Sequence, residues 1–145
     1  MAFSDSSLQD CPDNGRSTGA YIILYQGETI DNCTHVPGPV YQSSVESEYN
    51  AACTSGMALA HFRMLIHELL NEDLDMLPKE NPFIFLDSKS AMCISKNGKD
   101  TKHIRHIEIR MHFVRNGEKC KMHKIDCCDG GLHLANLCNN NVSEP

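Results

Sequence analysis

Pro82-Phe83-Ile84-Phe85-Leu86-Asp87 is a continuous apolar run closed by a carboxylate. A half-buried strand alternates polar and apolar residues, whereas an unbroken run of this length suits a central strand covered on both faces. Such a strand needs neighbours at both edges and helices packed on its sheet. Ala20-Tyr21-Ile22-Ile23-Leu24-Tyr25 is rich in β-branched and aromatic residues and predicts a second strong strand, at 20–27. A short strand is expected at 1–5 and another at 29–35, stopped by VPGP at 36–39, since proline cannot donate to a ladder. Between 10 and 19, DCPDNGRSTG is dense in turn formers and is expected to be a loop.

The helices follow from spacing and caps. Ser43 and Glu46 form an S-x-x-E capping pattern ahead of a long helical stretch at 44–71. Ala52, Gly56 and Ala60 share a small-residue stripe that would let this helix approach a sheet closely, with Cys53, Met57 and Met64 beside it. After the polar break NEDLDMLPKENP come the strand at 82–87, a short helix at 88–95 and a loop KNGKD. A helix at 103–116 would place Ile104, Ile107, Met111 and Val114 on one face. A strand at 120–127 and a final helix at 131–138 complete the chain. The result is a single α/β domain over 1–145, a mixed five-stranded sheet with helices on both faces.

Charge and cysteine usage narrow the function classes. The chain carries a formal −6, but residues 96–124 carry +6 and the remainder −12. Lys96, Lys99, Lys102, Arg105 and Arg110 lead that basic stretch, which suits either a phosphate-facing surface or a solvated helix face. No run approaches the ~18 apolar residues of a membrane span, and MAFSDSSLQD has no basic region followed by an apolar stretch. Eight cysteines without a secretory signal favour a reduced intracellular setting, cytoplasm or nucleus, over a disulfide framework.

Three carboxylates sit at element ends: Asp5 closing the first strand, Glu48 in the first turns of the long helix, and Asp87 closing the central strand. If the first and fourth strands are neighbours under that helix, the three converge. Divalent cations would then relieve their repulsion. Two such ions about 4 Å apart can hold an attacking water and a leaving oxygen in line on a phosphodiester. The plainer alternative is three unrelated acids, with Glu48 merely favoured by the helix dipole.

Five segments in order carry a resemblance. SSVESEYNAA at 43–52 resembles the S-S-T-E-A-E-Y-x-A-L motif of the ribonuclease H domain of copia-type LTR retrotransposons. FLDSKSAMCISKN at 85–97 resembles that family's C-D-N-x-S-A-I, and RHIEIRMHFVRNG at 105–117 its K-H-I-D-I-R-Y-H-F-I-R-E. FSDSS followed by GRSTGAYIIL resembles its Y-S-D-A-D-W…K-S-T-S-G-Y-x-F opening, and GGLHLANLCNNN at 130–141 its Q-L-A-D-I-F-T-K ending.

The resemblance implies a ribonuclease H-like fold and hydrolysis of the RNA strand of an RNA–DNA hybrid by four carboxylates with two Mg²⁺. Asp5, Glu48 and Asp87 take the first three places. Glu48 is preferred over Glu46 because it precedes Tyr49, as in A-E-Y, while Glu46 partners Ser43 in the cap. The fourth place reads Asn136, nearly isosteric but neutral and a poor ligand for a hard cation. Such a replacement fits a decayed copy, a domain kept for another purpose, or a change made to trap a substrate complex. With the charge lost, Mn²⁺ is expected to substitute for Mg²⁺, since it tolerates softer ligands. The resemblance also implies a reverse transcriptase domain of the same polyprotein as a partner.

Three further readings stand beside the hydrolase. A catalytically inactive module could still bind nucleic acid or a protein. Cys120-x-x-His123 with Cys127, Cys128 and Cys138 has some zinc-ligand spacing, but lacks a C-x-x-C…C-x-x-C arrangement, so zinc is disfavoured. His133, three residues before Asn136, could assist proton transfer or product release, although a lone histidine is more often a surface residue.

Overall fold

The computed structural model describes residues 1–9, 11, 13–38, 40–70, 81–87, 108–128 and 134–135. Strands β1 (Ala2–Ser7), β2 (Thr18–Tyr25) and β3 (Glu28–His35) precede helix α1 (Ser44–Leu70). Strand β4 (Phe83–Leu86), helix α2 (Glu108–Lys119) and strand β5 (Lys124–Cys127) follow. The five strands form one sheet in the order β3-β2-β1-β4-β5. β1 pairs antiparallel with β2 and β2 with β3, while β1–β4 and β4–β5 are parallel, so the sheet is mixed.

The apolar run 82–87 does occupy an interior strand, flanked by β1 and β5. Its two faces differ. Ile84 and Leu86 are fully buried against α1, each contributing roughly 1.5–3 kcal/mol by leaving water. Phe83 and Phe85 are half-buried on the other face and stack in a row with Phe3, at centroid separations of 5.6 and 5.2 Å.

Helix α1 begins where its cap is built. Ser43 Oγ accepts the Glu46 backbone N–H at 3.2 Å, and Glu46 Oε2 accepts the Gln42 N–H at 2.9 Å. The reciprocal bond thus lands one residue before the N-cap, a variation on the usual capping box. Tyr49, Ala52, Cys53 and Leu59 put the core side of α1 against Ala2, Ile23, Ile84, Leu86, Val114 and Ile125. Cys53 therefore belongs to the core, whereas Met57 and Met64 face solvent. α2 adds Val114 to the same cluster, so both described helices lie on one face of the sheet. The helices expected at 88–95 and 131–138 lie outside the described residues, apart from Leu134 and a fully buried Ala135.

Several boundaries differ from the sequence expectation, each for a local reason. β1 runs past 5 because Ser6 and Ser7 pair with Gly19 and Thr18. β2 is Thr18–Tyr25 rather than 20–27, because Gln26 and Gly27 have φ of 52° and 90° and make the two-residue hairpin turn into β3. α2 continues past 116 to Lys119, and residues 120–122 are its cap rather than the start of a strand. Lys121 takes φ 57°, its N–H reaches Glu118 O at 3.1 Å, and the Met122 N–H reaches Gly117 O at 2.8 Å. That pair of bonds is a Schellman cap, and β5 begins only at Lys124. The helical stretch expected at 103–107 lies outside the described residues.

Candidate active site

The parallel register Ala2↔Ile84, Phe3↔Phe85, Ser4↔Leu86, continued by one residue, sets Asp5 beside Asp87. The exit of β4 is pinned on its far side. Cys128 N–H donates to Leu86 O at 3.0 Å, and the Cys127 thiol donates to Asp87 O at 3.6 Å. The cap at Ser43 fixes where α1 starts, which brings Glu48 over the β1–β4 seam. Asp5, Glu48 and Asp87 each offer an oxygen within 4.8 Å of the others. Asp5 and Glu48 are 7% and 6% exposed, while Asp87 is open to solvent, so the cluster is walled on two sides and accessible on the third.

Electrostatics follow from that geometry. Burial pushes the Glu48 carboxyl up to about 8, with the charges of Asp87 and then Asp5 pushing the same way. Hydrogen bonding from the Ser6 side chain and backbone opposes the shift. Glu48 Oε2 is buried with no hydrogen-bond partner. A buried carboxylate oxygen in that condition is costly unless a cation completes it. The donors are all hard oxygens, so the residues present fit a hard divalent cation such as Mg²⁺ or Mn²⁺.

Three sequence-predicted site residues, Asp5, Glu48 and Asp87, thus come together. Glu46 is engaged in the helix cap. Asn136, His133, Lys96, Lys99, Lys102 and Arg105 lie outside the described residues. Arg110 is half-buried: its Nη1 donates to Tyr41 Oη at 3.3 Å and its guanidinium lies 6.0 Å from the Tyr41 ring centre. It therefore ties α2 to the segment entering α1. His123 is buried with Nε2 3.2 Å from Val114 O, and among the described residues no Cys/His group is arranged to hold a metal. No described helix is long and apolar enough to cross a membrane.

Two residues that sequence reasoning did not single out belong to the site's frame. Ser6 Oγ donates to Ser47 Oγ at 2.9 Å, and Ser47 Oγ donates to Ser44 O at 2.9 Å. Their only mark in the sequence is adjacency, Ser6 following Asp5 and Ser47 preceding Glu48.

No protein-family profile matches the chain. It is 27% identical over 126 residues to the retrovirus-related Pol polyprotein from transposon TNT 1-94 of Nicotiana tabacum, covering 85% of this chain and 9% of that protein. It is 26% identical over 115 residues to the corresponding polyprotein from transposon RE2 of Arabidopsis thaliana, covering 79% of this chain and 8% of that one. The chain thus spans less than a tenth of these curated relatives. Among solved structures, ribonuclease H1 from Halobacterium salinarum superposes with a TM-score of 0.61 at 14% identity, covering 97% of this chain and 96% of that one. LC11-RNase H1, solved in complex with an RNA/DNA hybrid, gives 0.67 at 12% identity, covering 94% and 90%.

Proposed function

This chain is a ribonuclease H-like domain related to the Pol polyproteins of plant retrotransposons, and on that premise we propose that it hydrolyses the RNA strand of RNA–DNA hybrids by two-metal catalysis, weakened by Asn136. The observation that carries the proposal is the convergence of Asp5, Glu48 and Asp87, with one Glu48 oxygen buried and unpartnered. Asp5 and Asp87 would hold the cations, and Glu48, on the helix side, would help orient both cation and RNA. Bound there, divalent cations would activate the attacking water and stabilise the leaving oxygen of the phosphodiester. The scissile phosphate would enter on the side of Asp87, the exposed member of the three. Asn136 would leave the second cation short of one negative ligand, and His133 would serve proton transfer or product release. Lys96, Lys99, Lys102 and Arg105 are the proposed phosphate contacts, and the reverse transcriptase portion of the polyprotein the proposed partner in gripping the hybrid. The setting is intracellular, in cytoplasm or nucleus.

The test is cleavage of a labelled RNA–DNA hybrid by the parent and by Asn136→Asp, in Mg²⁺ and in Mn²⁺. Slow cutting by the parent, faster in Mn²⁺ and faster by roughly tenfold or more in the variant, is expected. Absence of cleavage by both proteins in both ions overturns the hydrolase reading. A second reading is favoured by the neutral Asn136 itself: a catalytically inactive module that retains the fold and binds nucleic acid or a protein. Cleavage by Asn136→Asp alone supports it for the parent. Parent binding to hybrid that weakens steeply with salt then identifies phosphate as what it grips, and a flat response points to a protein partner.

A further inference from the structure

We propose that Ser6 and Ser47 act as a positioning pair that holds Asp5 and Glu48 at the separation a divalent cation needs. The inference rests on the metal-site reading above and goes beyond it, to residues that contact no cation themselves. Ser6 is bonded through the main chain to Asp5, and Ser47 to Glu48, so the bridge joins the two backbone segments that carry these carboxylates. Their hydroxyl oxygens are 2.9 Å apart, and Ser47 is anchored in turn to Ser44 O in the first turn of α1, also at 2.9 Å. Ser47 is 2% exposed, so water cannot replace it in that bond. The contact ties the end of β1 to the start of α1 beside the metal-ligand candidates. In the motifs this sequence resembles, both positions are alanine, and neither hydroxyl would exist.

Outer partners of this kind orient metal ligands and tune their affinity.

The experiment is Mn²⁺ binding by isothermal titration calorimetry, alongside thermal unfolding. The proteins are the parent, Ser6→Ala, Ser47→Ala, the double variant, Ser6→Thr and Asp5→Asn. Each single alanine variant is expected to weaken Mn²⁺ binding roughly tenfold. The double variant should be no weaker than either single one, since both remove the same bridge. Ser6→Thr, which keeps the hydroxyl and suits a strand, should restore affinity, and Asp5→Asn should abolish binding. Unchanged Mn²⁺ affinity with only a lowered melting temperature would make the pair a structural contact and overturn the proposal alone. Additive losses in the double variant would overturn it too. No Mn²⁺ binding by the parent would overturn the metal site and the pair together.

Discussion

Glu48 is the group whose chemistry the fold alters most visibly. Its carboxyl ordinarily titrates at 4.5, and burial with two neighbouring carboxylates raises it to about 8. Between those values the folded, metal-free protein holds a proton that the unfolded chain has released. The stability linked to Glu48 is thus fully present below 4.5 and lost as pH rises through about 8, by a few kcal/mol at most. His123 acts with the opposite sign: burial lowers its value from 6.5, so its contribution is present above 6.5 and lost as pH falls. Above 6.5 the histidine contribution has passed, but the Met1 amine, lowered from 8.0 by burial, acts with the same sign as His123 up to that value, so the Glu48 slope is read as the difference between the parent and Glu48→Gln. In chelator, the melting temperature is expected to fall over that range as pH rises, and Glu48→Gln is expected to flatten the fall. Added Mn²⁺ should raise the parent's melting temperature most at high pH. A parent and variant with equal slopes would detach the effect from Glu48. The three carboxylates were legible in the sequence because each was expected near an element end; in the fold Asp5 lies within β1, Glu48 in the second turn of α1, and Asp87 just past β4. The Ser6–Ser47 bridge was not, since no periodicity distinguishes a hydroxyl that crosses from strand to helix.

Two glycines show how element boundaries are set by partners rather than by propensity. Gly117 looks like a helix stop, and the sequence expectation ends the helix before it. In the fold it lies within α2, which runs on to the cap at Lys121, and the His123 ring occupies the place a Cβ would take, with Nδ1 and Nε2 each 2.7 Å from it. His123 is fixed by Val114 O, so it has little room to retreat. Gly117→Ala is expected to destabilise by about 1–3 kcal/mol despite its better helix propensity. Gly56 is the contrasting case. It sits in the small-residue stripe of α1, yet a Cβ there would meet Ile84, Phe113 and His123 at 3.5–3.7 Å, ordinary contact distances. Gly56→Ala is expected to be neutral or to stabilise by about 0.5–1 kcal/mol, through the helix propensity alone. Chemical denaturation of the two variants separates these outcomes, and a destabilised Gly56→Ala would show that the stripe is a true close approach. The extent of α2 was thus hidden in the sequence, since its C-terminal cap depends on Lys121 adopting a left-handed backbone that lysine rarely takes.

At the scale of the molecule, the long helix was legible from its cap at Ser43 and its small-residue stripe, and the strong strands from their apolar and β-branched runs. The joining of β1 to β4 was not, because nothing local in Ala2–Ser4 specifies Ile84–Leu86 as its parallel partner. That pairing creates the site, so a correct list of elements could still have left the carboxylates apart. The same limit applies to the basic stretch, where charge alone does not separate residues that face phosphate from residues that hold the fold. Arg110 tests the distinction. With its guanidinium on Tyr41, itself fully buried at the entry to α1, it joins α2 to the helix that carries Glu48. Arg110→Ala is therefore expected to lower the melting temperature, and to leave the salt dependence of hybrid binding nearly unchanged. Lys96→Ala, Lys99→Ala and Lys102→Ala are each expected to leave stability intact, to weaken binding, and to reduce the slope of log affinity against log salt by about one. Fluorescence anisotropy of a labelled hybrid across a salt series measures both. An Arg110→Ala variant that lost a full unit of slope at unchanged stability would move that residue from the frame of the fold to the nucleic-acid surface.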